Sequence, residues 1–78
     1  MKLHEFWKAA SDLVNNHDQR WGQAVFNTIP SGTAGLTEIA GTLDDPFYRI
    51  KTRTSACSWV DRYLAVDSEG TIREVRLR

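Results

Sequence analysis

The stretch RWGQAVFNTI, residues 20–29, decides the predicted fold because its apolar side chains recur at helical spacing. At about 100° per residue, Trp21, Val25 and Ile29 fall along one face of a helix. Pro30 follows at once and ends the helix. The stretch therefore predicts an amphipathic helix whose apolar face needs another element to cover it.

That element is predicted directly upstream, in residues 3–15, where apolar side chains recur at spacings of three and four. One helical stripe carries Leu3, Phe6, Trp7, Ala10, Leu13 and Val14. Two amphipathic helices that follow one another closely bury their apolar faces against each other, so the core should form between them.

The junction between these helices suggests two contacts. Asn16 is expected to cap the second helix, with Gln19 reaching back to it. A glycine inside a helix usually marks the close approach of another group. We therefore expect a ring from the first helix, that of Trp7, to lie against Gly22.

The rest of the chain mixes helical and extended patterns. Residues 36–40 fit a short helix that Gly41 ends. Residues 47–53 alternate in character and predict a strand. Residues 54–64 fit a helix at every step, and alternation would mix Asp61 into their apolar face, so helix is preferred to strand.

The C-terminal residues complete the predicted fold. Residues 67–70 form a turn, and residues 71–77 read as a strand that could pair with residues 48–53. The prediction is one α+β domain over residues 1–78. It has two main helices, one short helix, one later helix and a minor antiparallel sheet of two to three strands.

Composition is that of an ordinary globular protein, with 41% hydrophobic and 26% charged residues. A domain of 78 residues buries only about 60% of the surface that its unfolded chain exposes, so a homodimer is plausible. Cys57 is the only cysteine, so no intrachain disulfide can form. The first residues contain no long apolar run that would indicate a signal peptide or a membrane span. We expect a cytoplasmic protein without a membrane partner.

The outer face of the second helix carries the first candidate site, made of Arg20, Gln23 and Asn27. Their guanidinium and amide groups suit hydrogen bonding rather than proton transfer. Three interpretations stay open: a solvated helix face, side chains bound to the backbone of residues 44–48, or a surface that binds a partner.

The pattern RxGQAxFN at residues 20–27, followed by DPFY at residues 45–48, resembles small uncharacterised proteins of bacteriophages and prophages. The resemblance implies an origin in a phage or mobile element and, with it, the cytosol of a bacterial host. It also implies a host protein as partner, and it carries over no reaction. The residues expected to bind a partner or anchor the loop are Arg20, Gln23, Asn27, Asp45, Phe47 and Tyr48.

Catalytic, metal and cofactor sites are not predicted. Asp44 and Asp45 are adjacent, so their side chains should diverge in a turn rather than converge on a cation. The spacing of His4, His17 and Cys57 matches no zinc pattern. A Cys–His nucleophile pair is the remaining enzymatic alternative, but Cys57 lies beside the apolar stripe of its helix, where a buried, inert thiol is expected.

Charge is distributed unevenly along a chain that is neutral overall. Residues 1–48 carry three Lys/Arg and six Asp/Glu, whereas residues 49–78 carry seven Lys/Arg and four Asp/Glu. The basic side chains of two predicted neighbouring strands are Arg49, Lys51 and Arg53 on one, and Arg73, Arg76 and Arg78 on the other. They could bind nucleic-acid phosphates, although a charged sheet edge explains the same residues. The sequence therefore favours a non-enzymatic protein-interaction module, with a nucleic-acid-binding accessory protein as the alternative.

Overall fold

The computed structural model describes residues 1–76, which form five helices and a two-stranded antiparallel sheet. The elements are α1 (Leu3–Asn16), α2 (Trp21–Thr28), α3 (Leu36–Ile39), α4 (Pro46–Arg49), α5 (Arg53–Tyr63), β1 (Leu64–Val66) and β2 (Ile72–Val75). This confirms the predicted small α+β fold. Two parts of the sequence predictions, the end of the last strand at Leu77 and the basic Arg78, lie outside the described residues.

Helices α1 and α2 form as their periodicity predicts, and each buries its apolar face. Phe6 of α1 and Val25 of α2 are completely buried in the same core cluster. The rings of Trp7 and Trp21 meet at the edge of this core, with centroids 6.3 Å apart. Within residues 1–76, none of the helices is long and apolar enough to span a membrane.

The capping prediction at the junction is wrong. Helix α1 continues through Asn16, whose amide donates to the Asp12 carboxylate. Asp18 then adopts a left-handed backbone conformation (φ 59°), and the Gln19 N–H donates back to the Leu13 carbonyl. These contacts end α1, and α2 begins after Arg20 without a side-chain cap.

The strand predicted at residues 47–53 is also absent: this segment contains the one-turn helix α4 and the start of α5. Asp45 caps α4, and Pro46 occupies its first position, where the fixed φ of proline favours a helix. Thr52 and Ser55 form a capping box that starts α5. These local start signals outweigh the alternation that suggested a strand.

Strand β2 therefore pairs with β1, directly after α5, instead of with residues 48–53. The register joins Leu64 to Val75 and Ala65 to Glu74, with an irregularity before Val66. The other side of β2 is covered, since the Val75 N–H donates to the Ala34 carbonyl (2.7 Å) and the Ile72 N–H to the Met1 carbonyl (2.9 Å). The N-terminus is thus held against the strand near the end of the chain.

The structure confirms the predicted turn at residues 67–70, and the side chain of Asp67 stabilises it. Its Oδ1 accepts from the backbone N–H groups of Thr71 (3.0 Å) and Glu69 (2.9 Å), and its Oδ2 from Arg73 Nε (2.7 Å). The hydrogen bond from Thr71, together with the Arg73 guanidinium, lowers the pKa of the Asp67 carboxyl below its usual 3.8. Because the carboxylate is favoured in the folded state, its stabilisation is present above the unfolded pKa and is lost as pH falls through the lower folded pKa.

We therefore expect acid to destabilise the hairpin, and Asp67→Asn to make stability less dependent on pH below about 4. Urea unfolding followed by circular dichroism at several pH values measures this. Asp61→Asn removes an exposed carboxylate that has no hydrogen bond among the described residues, and should leave the pH profile unchanged. Equal profiles for the wild type and Asp67→Asn would contradict the assignment.

Candidate protein-binding surface

Exposed apolar side chains concentrate around α4. Five large hydrophobic side chains of residues 1–76 are exposed, and three of them lie within residues 43–48: Leu43 (86%), Tyr48 (64%) and Phe47 (43%). Phe47 and Tyr48, which we call the α4 ridge, are adjacent on a one-turn helix. An exposed cluster of this kind is a common feature of binding surfaces, whereas single exposed apolar residues are unremarkable.

Beneath the ridge, the backbone is anchored by the buried carboxylate of Asp45, which is 5% exposed. Asp45 Oδ1 accepts from the Phe47 N–H at 2.8 Å and Oδ2 from the Gly41 N–H at 2.7 Å. One carboxylate thus caps α4 and closes the preceding loop. The sequence predicted a turn at Asp45, and the structure also makes it the N-cap of α4.

Helix α5 holds the chain just before the ridge. The Trp59 indole Nε1 donates to the Asp44 carbonyl at 2.9 Å. The indole also stacks on the ring of Tyr63, with centroids 5.0 Å apart. Burial raises the pKa of the Tyr63 hydroxyl, and the nearby Asp44 carboxylate raises it further.

Helix α2 supports the ridge from the other side through Gly22, which corrects the contact predicted with Trp7. A Cβ at Gly22 would lie 2.5 Å from the Pro46 carbonyl oxygen and 3.1 Å from that of Ile50. The neighbour of Gly22 is therefore the backbone around α4, while the ring of Trp7 packs against that of Trp21. The prediction of close approach was correct, but the partner is the backbone of Pro46, just before the segment predicted as a strand, and of Ile50 within it.

The predicted site residues of α2 are only partly brought together with the ridge. Arg20 and Gln23 line a cleft of about 240 Å³ with Phe47 and Lys51. Asn27 points elsewhere, since its amide donates to Gln19 at 3.4 Å. Among the described residues, none of the three side chains hydrogen-bonds to residues 44–48, so the predicted loop-anchoring bonds are absent.

A second cleft, of about 230 Å³, lies between α4 and α5. Its lining comes from the end of α4 and from α5: Arg49, Ser55, Ser58, Trp59, Arg62 and Tyr63. Arg62 was not singled out from the sequence. Helical spacing places Ser55, Ser58 and Arg62 on one face of α5, but only the position of α4 brings Arg49 to them.

The basic residues do not form the predicted pair of strands. Arg49 ends α4, Lys51 lies in the link, and Arg53 begins α5 with its guanidinium 5.8 Å from the Trp21 ring centroid. The two described C-terminal arginines lie elsewhere. Arg73 binds Asp67 with an N–O distance of 2.6 Å, and Arg76 lines a cleft that also contains Glu38 and Glu74.

The thiol expected to be buried is exposed. Cys57 lies on the outer side of α5, and no hydrogen bond among the described residues joins it to His4 or His17. His17 instead lies 3.4 Å from the Asp12 carboxylate. Residues 1–76 contain no group of three His, Cys, Asp or Glu side chains arranged to hold a metal ion.

No protein-family model, curated protein or solved structure matches this chain. Function must therefore be inferred from the α4 ridge and the two clefts beside it.

Proposed function

We propose that this chain is a non-enzymatic protein-interaction module of phage or prophage type. It binds a host or partner protein through the α4 ridge and modulates that protein. The observation that carries the proposal is the exposure of Phe47 and Tyr48 on a backbone held by Asp45, Trp59 and Gly22.

Exposed aromatic rings on an anchored backbone are well suited to binding. Tyrosine side chains are enriched among the residues that contribute most to protein interfaces. A backbone that is already ordered loses little conformational entropy on association, so more of the contact energy appears as affinity. Fully burying an aromatic side chain of this size contributes about 1.5–3 kcal/mol from the hydrophobic effect.

The phage-like pattern supports the same surface. Its two parts, residues 20–27 and residues 45–48, meet where Gly22 lies against Pro46. They also meet where the rings of Phe26 and Phe47 pack with centroids 5.4 Å apart. The pattern therefore describes one contiguous unit that presents the ridge, and on the resemblance we propose a bacterial host protein in the cytoplasm as the partner.

The experiment compares proteins recovered from a bacterial lysate by the wild type and by Tyr48→Ser. We expect the wild type to retain a specific partner and the variant to bind it at least about 30-fold more weakly, equivalent to about 2 kcal/mol. Val66→Ser is the matched control because it removes an exposed apolar side chain from β1.

Equal recovery by the wild type and Tyr48→Ser, or no specific partner for either, would argue against the proposal. A second copy of this chain is another possible occupant of the ridge. Analytical ultracentrifugation would then show a wild-type dimer that Tyr48→Ser dissociates, and recovery from lysate would not depend on Tyr48.

Nucleic-acid binding is the second candidate, favoured by one observation: the exposed Tyr48 is followed closely in the chain by the cationic residues Arg49 and Lys51. Aromatic rings beside basic groups can bind single strands by stacking and by phosphate contacts. The predicted strand surface that originally suggested this function does not form, so we rank it second.

A further inference from the structure

We infer that the partner presents an acidic segment to the ridge, and that the cleft between α4 and α5 accepts one of its carboxylates between Arg49 and Arg62. This rests on the proposed function and names the chemistry of the partner. The cleft is distinct from the α2 residues predicted from the sequence.

Basic side chains that form no ion pair with a described carboxylate concentrate beside α4. Among the described lysines and arginines, Lys2 and Arg73 form ion pairs with carboxylates. Four of the other basic side chains line the two clefts: Arg20, Arg49, Lys51 and Arg62. A partner that covers the ridge must meet these charges, and electrostatic complementarity then favours an acidic surface.

The cleft contains several hydrogen-bond donors that a carboxylate could accept from. Arg49 comes from α4 and Arg62 from α5, and neither guanidinium has a hydrogen bond or ion pair to a described residue. The Arg62 guanidinium lies 5.9 Å from the Tyr63 ring centroid, which restricts its orientation. Guanidinium groups bind carboxylates through strong, directional hydrogen bonds, and the Ser58 hydroxyl adds a donor.

The cleft and the ridge are connected through neighbouring residues of α4. Tyr48 and Arg49 are consecutive residues of α4, so their Cα atoms are only about 3.8 Å apart. A partner segment that covers the Tyr48 ring is therefore within reach of the long Arg49 side chain, which lines the cleft. A single partner segment that has an apolar residue next to an Asp or Glu can contact the Tyr48 ring and also place its carboxylate in the cleft.

An acidic protein segment suits this surface better than a single-stranded nucleic acid, which binds by stacking successive bases on aromatic rings. The Phe47 ring already packs against that of Phe26, with centroids 5.4 Å apart, so it is less available to a stacked base.

Selection from a library of random peptides displayed on yeast tests the inference. We expect the wild type to enrich peptides with Asp or Glu beside an aromatic or aliphatic residue. The best of them should bind Arg49→Gln/Arg62→Gln at least about tenfold more weakly, because charge-assisted hydrogen bonds are lost. Lys8→Gln/Arg76→Gln removes the same charge away from the cleft and should bind normally.

The outcomes separate the inference from the proposed function. Neutral peptides that require Tyr48 would overturn the acidic-partner inference and leave the interaction surface standing. If no enriched peptide loses binding on Tyr48→Ser, both the inference and the proposed function are overturned.

Two further measurements complete the test. Binding of a fluorescent oligothymidylate that requires Tyr48 and Arg62, with no acidic peptides enriched, would assign the surface to nucleic acid and overturn the inference. Arg49→Lys/Arg62→Lys retains both charges and should recover part of the affinity. Failure of the Lys variant to bind better than a folded Gln variant would also count against the inference.

Discussion

Asp45→Ala should lower the free energy of unfolding by about 3–5 kcal/mol. The substitution removes hydrogen bonds to two backbone N–H groups, those of Gly41 and Phe47. A hydrogen bond to a charged group contributes about 1.5–3 kcal/mol, and both donors would lose their acceptor in a part-buried site. Since a domain of this size has a total stability of about 4–12 kcal/mol, the loss is a large part of the whole.

Urea denaturation followed by tryptophan fluorescence measures the effect. Asp45→Asn keeps the side-chain volume and one acceptor oxygen, so we expect about half of the loss. Asp44→Ala removes the neighbouring carboxylate, which accepts no backbone hydrogen bond among the described residues, and should cost no more than about 1 kcal/mol. Similar losses for Asp45→Ala and Asp44→Ala would show that Asp45 does not anchor the loop.

Gly22→Ala should destabilise the protein by about 2–3 kcal/mol, although helix propensity alone predicts a gain of about 1 kcal/mol. The added methyl group would lie 2.5 Å from the Pro46 carbonyl oxygen. That oxygen cannot retreat easily, because Pro46 is fully buried and Asp45 binds the chain on either side of it. Helix α2 and α4 must therefore separate.

The sign of the change is diagnostic. Asn27→Ala, at an exposed position of the same helix, should change stability by no more than about 0.5 kcal/mol, since only a long surface hydrogen bond to Gln19 is lost. A neutral or stabilising Gly22→Ala would mean that α2 and α4 do not approach as closely as described. A destabilised Gly22→Ala that stays folded should also bind the partner less well, because the ridge is displaced.

Local periodicity was sufficient to predict most of the helices. Residues 3–15, 20–29 and 54–64 each repeat apolar side chains at helical spacing, and all three are helical over most of their length. The pattern is reliable there because one face of each helix is buried in a common core, so burial and spacing coincide. The turn at residues 67–70 was likewise predicted from its own residue types, and it is present in the structure.

Residues 47–53 show where prediction from a short sequence pattern fails. Alternation over seven residues predicted a strand, but the N-caps Asp45 and Thr52 impose two helix starts. Once the strand is lost, so is the predicted basic sheet surface, and β2 pairs with β1. Short patterns without a long apolar repeat are decided by caps and tertiary contacts.

For the candidate site, the sequence by itself identified Arg20, Gln23, Phe47 and Tyr48, and it indicated that something must approach Gly22. It could not place Arg62 beside Arg49 or separate Asn27 from the others. The physical reason is the distance along the chain between the residues that make contact. Helical periodicity is set by neighbours within two turns, whereas the clefts beside α4 arise from the packing of α2, α4 and α5, whose contacts join residues far apart in the chain.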